Sequence, residues 1–368
     1  MKLTIESGLW RTAADAAPGP LVAVLEVSGA VLSWTVDQPG APEFTFTDPH
    51  RADWLWQVIG ESGHVAIAAA LAAPAQSTVD LPALTVSQEA TDRLRRLALG
   101  HWLRRWWPAS RRDGIAGLDP ALLAAELAVL TAAAGDFFSD DTLDSDVADL
   151  LAPHAEALAT QMLAGDPRIV ALVRRAAELA DDLGLDGWGD LLAALEDSPT
   201  DRWTGRRDDY ALAAGADPGS RGQAVLAAGV SSVRWSAVPP GIFDAAEDTV
   251  DWAVEVVDAR AVATVRVAAI APPDGIAVRL RSGAISGSAA LDADGRAMFA
   301  LADSAPLTET AAWDHNWSGI TVAVGVESAG AGESPEIRDR IRQFARQRLQ
   351  RPTPDAYLAE IVAAESDY

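Results

Sequence analysis

The sequence predicts an α+β protein of several domains, because the spacing of its apolar residues changes along the chain. Apolar residues alternate near the amino terminus, recur with a helical period in the middle, and alternate again in the last third. We therefore predict five segments. They are a small α/β-meander domain at 1–84, a helical bundle at 85–196, a linker or long loop at 197–229, an antiparallel β-sandwich at 230–330 and a helical tail at 331–368.

The amino-terminal segment begins with runs that are typical of short strands. The runs "LVAVLEV", "AVLSWTV" and "EFTFTD", between residues 21 and 48, are rich in β-branched and aromatic side chains and are separated by turn formers. A short helix is predicted at "RADWLWQVIG", with Gly60 and Gly63 ending it. The next run, "HVAIAAALA", fits either a buried strand or a helix.

The middle of the chain carries clear signals for the starts and ends of helices. Asp119-Pro120 and Asp166-Pro167 each place an N-cap aspartate before a proline at the first helical position. Gly165 and Gly184 are predicted C-caps. The expected helices span 88–106, 120–134, 143–164 with a break at Pro153, 167–183 and 187–196. A five-helix bundle is the simplest arrangement of these helices.

Seven short alternating runs after Val230 predict the sandwich. They are "SSVRWSAV", "TVDWAVEVVD", "AVATVRVAAI", "IAVRLRS", "ISGSAAL", "AMFALA" and "GITVAVGVE". Their number and spacing are typical of immunoglobulin-like or transthyretin-like sandwiches. In the tail, Ile337, Ile341 and Phe344 form an apolar helical stripe with arginines around it, and Pro352 ends this helix before a second one starts.

Composition restricts the compartment and the chemistry. The chain has no cysteine, which excludes disulfides, thiol nucleophiles and thiolate metal sites. Its first residues lack the apolar run of a secretory signal, and no stretch approaches the roughly 20 apolar residues of a membrane helix. We therefore expect a cytoplasmic protein without a membrane span. The net charge of −24 repels nucleic acid and anionic lipid at long range.

The search for catalytic or cofactor motifs gives one candidate. Lys2 is the only lysine, the glycines do not form a phosphate-binding loop, and the five histidines have no metal-ligand spacing, so we predict no cofactor and no metal. In "WDHNW", Asp314 is placed to orient His315 as a general base, which makes a hydrolase site one hypothesis. The other is a loop in which Trp313 and Trp317 close one end of the sandwich.

A second loop, "VPPGIFDAAEDTVDW" at 238–252, joins two predicted strands. It presents Ile242 and Phe243 to a partner if it is a recognition loop. It covers the end of the sandwich if it is a lid. Both interpretations stay open from the sequence.

The segment "RLRRLALGHWLRRWWPASRR" at 93–112 concentrates arginine and tryptophan without any acid. On a helical wheel, Trp102 and Trp106 share an apolar face with Leu99 and Leu103, so both tryptophans are predicted to lie in the core. The remaining candidate binding residues are Arg104, Arg105, Trp107, Arg111 and Arg112.

Three partners remain open for this basic segment. The acidic segment 136–156 of the same chain is one, a second protein with an acidic surface is another, and nucleic acid or a different polyanion is the third. In the last case Trp107 would stack on bases. Because the layout is modular and no catalytic site is readable, our preferred hypothesis is a non-catalytic cytoplasmic adaptor or scaffold, such as an accessory subunit of a multi-component bacterial assembly.

Overall fold

The computed structural model describes residues 2–6, 8–12, 19–38, 40–72, 78–80, 86–135, 138, 144–163, 165–189, 191, 193, 224–326 and 333–366. They form helices and antiparallel sheets, which confirms the predicted mixture of α and β structure. The chain divides into two compact units. Unit 1 is Met1–Arg105, Leu118–Gly205 and Glu336–Tyr368, and unit 2 is Trp106–Gly117 and Arg206–Pro335. Unit 1 takes in most of the predicted segments 1–84, 85–196 and 331–368, and unit 2 takes in most of 230–330.

Unit 1 contains a six-stranded antiparallel sheet. Its strands are β1 (Lys2–Glu6), β2 (Leu9–Arg11), β3 (Val22–Val27), β4 (Ala30–Thr35), β5 (Glu43–Phe46) and β6 (Thr78–Asp80), in the spatial order β3-β4-β5-β2-β1-β6. The predicted meander becomes β3, β4 and β5, in which more and less buried residues alternate. The β3–β4 turn requires Gly29, because φ is 73° and a Cβ atom would lie 2.2 Å from the carbonyl oxygen of Asp48.

Helix α1 (Trp56–Ala72) settles the ambiguous run "HVAIAAALA", which is helical. The predicted helix end at Gly60 is wrong. Gly60 has non-helical dihedrals, with φ 74° and ψ 162°, but the helix resumes after it. The glycine therefore makes a kink, because the alanine-rich sequence that follows favours helix.

Five further helices of unit 1 follow the predicted start signals. They are α2 (Gln88–Trp106), α3 (Pro120–Gly135), α4 (Asp144–Leu151), α5 (Ala155–Met162) and α6 (Pro167–Asp182). Asp119 accepts from the backbone N–H of Leu122 at 2.9 Å, and Asp166 accepts from that of Arg168 at 2.8 Å, which confirms both N-caps. Pro153 separates α4 from α5. Of the predicted helix 187–196 the structure describes residues 187–189, 191 and 193, and most of the predicted linker 197–229 lies outside the described residues.

Two antiparallel sheets form unit 2. The strands are β7 (Val225–Ser231), β8 (Val250–Val257), β9 (Arg260–Val267), β10 (Ala277–Ser282), β11 (Ile285–Ala290), β12 (Arg296–Ala300) and β13 (Ile320–Val324), and helix α7 (Glu309–Asp314) precedes β13. One sheet has the order β12-β9-β8-β7 and the other β11-β10-β13. Val254, Ala263 and Phe299 of the first sheet and Leu280 and Val324 of the second belong to one buried apolar cluster. This shared core explains the alternating pattern of the strands.

The first strand of unit 2 differs from the prediction. The run "SSVRWSAV" is predicted to be a strand, whereas β7 ends at Ser231 and Trp235–Ala237 forms a 3₁₀ turn. The backbone N–H groups of Trp235 and Ser236 donate to the carboxylate of Glu333 at 2.6 and 3.0 Å. The hydrogen bonds that a neighbouring strand would accept are therefore accepted by a side chain. The strand begins instead at Val225, inside the segment predicted as a linker, because it pairs with β8 from there on.

Helices α8 (Pro335–Gln350) and α9 (Leu358–Ser366) carry the rest of the described chain. The predicted stripe of α8 is confirmed at Ile341 and Phe344, which are buried. The ring of Phe344 meets the buried ring of Trp102 edge-on, with 5.6 Å between the centroids. The same helix also buries three arginines, Arg338, Arg342 and Arg348.

Candidate functional site

A cavity of about 560 Å³ lies in unit 1, beside α2, α8 and the turn after β4. Its lining residues are Val36, Asp37, Arg95, Phe344, Gln347, Arg348, Gln350, Arg351, Thr353 and Asp355. This volume falls within the range of small-molecule sites. Arginines and aspartates make up half of the lining, so charged groups decide which ligand the cavity accepts.

The innermost charged pair of this cavity is Arg348 with Glu360. Both side chains are buried, and Arg348 Nη2 donates to Glu360 Oε2 at 2.7 Å. The carboxylate of Glu360 also accepts from the backbone N–H of Tyr357 at 2.8 Å. Burial works against the charge of Arg348, but the hydrogen bonds and the negative charge of Glu360 outweigh it and raise the pKa of the guanidinium. The ion pair joins α9 to α8.

Asp355 connects this pair to α2. Its Oδ1 accepts from Arg348 Nη1 at 3.3 Å, and its Oδ2 accepts from Arg95 Nη1 at 3.1 Å. Burial opposes ionisation of Asp355, but the Thr353 hydroxyl and the two guanidinium charges outweigh it and lower the pKa of the carboxyl group. Arg95 also donates to the carbonyl oxygen of Val36 at 3.3 Å, while its Nε is buried without a hydrogen-bond partner among the described residues.

The rim of the cavity has a different character. Arg351, Gln347 and Gln350 lie at the end of α8 and are exposed. Within the described part of the chain, their side chains form no hydrogen bond or ion pair. Asp37, the acid of the rim, is held by Arg340, whose Nη2 and Nε donate to its two oxygens at 3.0 and 3.1 Å. Arg351 is thus the guanidinium of this cavity that is left for a ligand.

The predicted basic segment contributes only part of itself to this cavity. Arg95 lines it, whereas Arg104, which is exposed, and Arg105, which is half-buried, do not. The prediction that Trp102 lies in the core is confirmed, since its ring is 3% exposed and its Nε1 donates to the carbonyl oxygen of Pro20 at 2.8 Å. Trp106 is half-buried.

Three arginines of this segment pair with acids outside the predicted acidic segment 136–156. Glu89 accepts from Arg93 at 2.9 Å, Glu126 accepts from Arg96 at 2.6 Å, and Asp355 accepts from Arg95. The segment 136–156 lies partly outside the described residues. The predicted pairing of the basic segment with 136–156 therefore stays a prediction.

Within unit 2, the end of the basic segment is bound to one buried carboxylate. Asp244, 5% exposed, accepts from the Ser110 hydroxyl at 2.6 Å and from the backbone N–H groups of Arg111 and Arg112 at 2.9 and 3.2 Å. The guanidinium of Arg112 donates to two backbone carbonyl oxygens at 3.1 Å, those of Glu247 and Asp248. The backbone that carries these two arginines is thus held by an internal acid.

The other candidate binding residues of unit 2 are largely engaged as well. Trp107 donates from Nε1 to the carbonyl oxygen of Ala116 at 2.9 Å. Phe243 is 6% exposed and belongs to the apolar core, and Ile242 packs against that core while partly buried. Because Phe243 is inside, the loop 238–252 does not present both apolar side chains to a partner in this structure.

Asp314 and His315 are placed apart by the end of α7. Asp314 is exposed in the last turn of the helix, and His315 follows it in extended conformation. The Nε2 of His315 lies 2.9 Å from the hydroxyl oxygen of Ser282, and its ring meets Trp317 edge-on at 4.6 Å. Ser282 is 2% exposed. The histidine is thus oriented by Ser282 and Trp317.

Strand β7 lies at one edge of its sheet. β7 pairs with β8 on one side, and no strand in the described part of the chain pairs with its other side. Its sequence, "VLAAGVS", contains no charge and no proline, and Val225 and Val230 are 54% and 56% exposed. Gly229 lies under the ring of Trp252 on β8, where a Cβ atom would come within 2.6 Å of a ring carbon. This contact fixes the register of the strand.

The described residues include no group of three or more metal-ligating side chains that could hold an ion. None of their helices combines the length and the apolar character needed to cross a bilayer.

The comparisons with known proteins add no assignment. No family model, no curated protein and no solved structure matches this chain.

Several residues of these sites were not identified from the sequence. Glu360 lies in the apolar run "YLAEIVAAE", and Asp244 lies in "IFDAAE". A single acid between apolar residues is the signal that was available in both cases, because a buried carboxylate needs donors close by. Arg351 and Asp355 carry no such signal, since they lie in a polar stretch around two prolines.

Proposed function

We propose that this protein is a non-catalytic adaptor, and that a partner protein binds it by adding a strand to the outer edge of β7. The observation that carries the proposal is the unprotected edge itself. An exposed strand edge offers a row of backbone N–H and C=O groups, and proteins usually guard such edges with charges, prolines or short strands. β7 has seven residues and contains no charge or proline, and its pairing with β8 is irregular only between Val225 and Ala227.

The opposite edge of the same sheet provides a comparison. β12 is five residues long and begins with the exposed Arg296. A charged residue there disfavours pairing with another chain. β7 is longer, uncharged and flanked by exposed valines, which is the composition that favours strand addition. Of the two edges, β7 therefore supports binding of an extended segment.

The chemistry around β7 also indicates which strand would bind. Asp251 lies opposite Val230 and Glu255 lies opposite Val225 on β8. Directly opposed residues share one face of the sheet, so this face combines exposed valines with two acids. A partner segment with β-branched residues and a lysine or arginine on that face complements it. The protein with an acidic surface that the sequence predicts would bind the arginine segment 93–112, not β7, and this stays a separate prediction.

The test is a site-specific photo-cross-link in the native host cell, with a photoreactive amino acid at position 230 and, as the matched control, at Met298. Met298 is on β12 of the same sheet and is 64% exposed. We expect one predominant cross-linked partner at 230 that is missing at 298. The variant Val230→Lys, which puts a charge on the edge opposite Asp251, should abolish binding of that partner, and Met298→Lys should not. Equal labelling at both positions, or binding that survives Val230→Lys, would argue against strand addition.

The remaining parts of this proposal rest on the sequence. We propose a cytoplasmic location and a role as accessory subunit of a bacterial assembly, supported by the lack of cysteine and the modular layout. We interpret the two-sheet unit as a β-sandwich of immunoglobulin-like or transthyretin-like type, supported by its shared apolar core. Catalysis at Asp314 and His315, and polyanion binding by the basic segment, stay predictions without a specific observation in their favour.

A further inference from the structure

We infer that the partner segment closes unit 2 along one open side, by pairing with both β7 and β13 and by placing apolar side chains between the two sheets. The inference rests on the proposed strand addition at β7 and assigns a second strand to the same segment. β13 pairs with β10 on one side, and no described strand pairs with its other side. Its sequence, "ITVAV", contains no charge and no proline. Each sheet of unit 2 thus has a free edge without a charge or a proline.

The opposite side of unit 2 is closed by the chain itself. Just after β12, Ala302 exchanges two backbone hydrogen bonds with Ser286 of β11, at 2.8 and 3.0 Å. Gly287 of β11 lies so near that a Cβ atom there would come within 2.6 Å of the carbonyl oxygen of Ala300. The continuous stretch 296–302 therefore pairs first with β9 of one sheet and then with β11 of the other. We assign the corresponding role on the open side to the partner segment.

The free edges of β7 and β13 lie on the same side of the unit. Because β11 and β12 are joined, the strand orders of the two sheets place β7 and β13 together at the far side. The backbone N–H of Val326, just after β13, donates to the carbonyl oxygen of Ala237, in the turn after β7, at 2.9 Å. All pairings from β7 through the 286–302 bridge to β13 are antiparallel, so these two strands run in the same direction. A segment antiparallel to β7 is therefore antiparallel to β13 as well.

The inward side chains along these two edges are apolar and only partly buried. Ile320 and Val322 of β13 and Trp252 of β8 pack against the core but keep part of their surface in solvent. The ring of Trp252 lies against Gly229 of β7, so it reaches the edge strand of its sheet. Apolar side chains of an added strand would remove this surface from water. The segment that fits therefore has apolar residues at alternate positions, while the two acids of β8 favour a basic residue on its outward face.

The test is a photoreactive amino acid at Thr321, in the same host cells as the cross-link at position 230. Thr321 is exposed on β13 and faces away from the core, so a strand that only extends the sheet of β7 stays out of its reach. Ser288 is the matched control, because it is exposed and faces outward on β11, the edge strand at the closed side. We expect the same peptide of the partner to be cross-linked at 230 and at 321, and not at 288.

Two substitutions on β13 measure the apolar contact. Val322→Thr adds a hydroxyl on the inward face and should reduce the cross-link at 230 about fivefold or more, because the added strand buries this hydroxyl. Threonine keeps the shape and the strand propensity of valine, so β13 itself should persist. Ala323→Ser adds a hydroxyl on the exposed outward face and should leave the cross-link unchanged.

The outcomes separate this inference from the proposed strand addition. A partner peptide that is cross-linked at 230 but not at 321 supports strand addition and overturns closure by the same segment. Absence of a partner at 230 overturns both. An unchanged cross-link in Val322→Thr overturns the apolar contact and with it the inference. A cross-linked peptide that belongs to this chain also overturns it, because the occupant is then a second copy or another segment of this protein.

Discussion

The guanidinium of Arg348 and the carboxylate of Glu360 form an ion pair inside unit 1, with side chains that are 5% and 0% exposed. The pair joins two helices that are consecutive in sequence, α8 and α9. Removing one partner leaves the other buried without an opposite charge, which lowers the free energy of unfolding strongly. Replacing both partners by apolar residues lowers it much less. The stability of unit 1 should therefore depend on whether the two residues are replaced singly or together.

We predict that Arg348→Met destabilises unit 1 by about 3–5 kcal/mol, because Glu360 remains buried without its partner. The double variant Arg348→Met with Glu360→Leu should be more stable than Arg348→Met alone. Urea unfolding followed by circular dichroism measures both changes. As a control, Arg93→Ala breaks the exposed pair with Glu89 and should change stability by no more than about 1 kcal/mol. The single variant Glu360→Leu completes the comparison. If the destabilisation of the double variant equals the sum of the destabilisations of Arg348→Met and Glu360→Leu, the buried-pair interpretation is contradicted.

We predict that Asp244→Ala releases the segment 106–117 and destabilises unit 2 by about 2–4 kcal/mol, because four donors lose a charged acceptor. Hydrogen–deuterium exchange should then speed up at the backbone amides of Arg111 and Arg112. Asp248→Asn is a useful control, because the carbonyl that Arg112 contacts there belongs to the backbone and asparagine tolerates the positive φ of 54° at this position. Unchanged exchange at 111 and 112 in Asp244→Ala would show that the carboxylate does not hold this segment.

We predict a loss of stability in acid that depends on His154. Burial lowers the pKa of this histidine, the nearby charge of Arg104 lowers it further, and Asp119 opposes both. The folded state therefore takes up its proton at lower pH than the unfolded state does. Stability falls as the pH decreases below the ordinary histidine pKa of about 6.5, and it levels off below the folded-state pKa.

His154→Gln should remove this part of the pH dependence, and Arg104→Gln should raise the pKa of His154 towards its ordinary value. Unfolding curves between about pH 7.5 and 5 and a proton NMR titration of the imidazole measure the two effects. A wild-type protein and a His154→Gln variant that lose the same stability over this range would contradict the prediction.

Local signals in the sequence predicted much of the fold. The N-caps at Asp119 and Asp166 and the break at Pro153 placed helix boundaries correctly, because each depends on neighbouring residues alone. β7 and the turn at Trp235 were missed for the opposite reason. The strand is defined by pairing with β8, and the turn is defined by Glu333, almost a hundred residues further along the chain.

The candidate sites show the same contrast. The helical wheel correctly assigned Trp102 to the core. It could not show that Arg95 pairs with Asp355 in the loop before α9, or that Arg96 pairs with Glu126 of α3. Those contacts join residues separated by 260 and 30 positions. The cavity of unit 1 is lined by residues that are far apart in the chain, so local patterns did not identify it.

The central claim is that a partner extends the sheet of unit 2 at β7. Hydrogen–deuterium exchange of the complex with the partner cross-linked at position 230, resolved to single residues, tests it most directly. Strand addition predicts that the β7 amides pointing away from β8 become protected on binding, in alternation with those already bonded to β8, while β12 is unchanged. If β7 amides exchange equally fast with and without the partner, the partner contacts side chains alone, and the claim is contradicted.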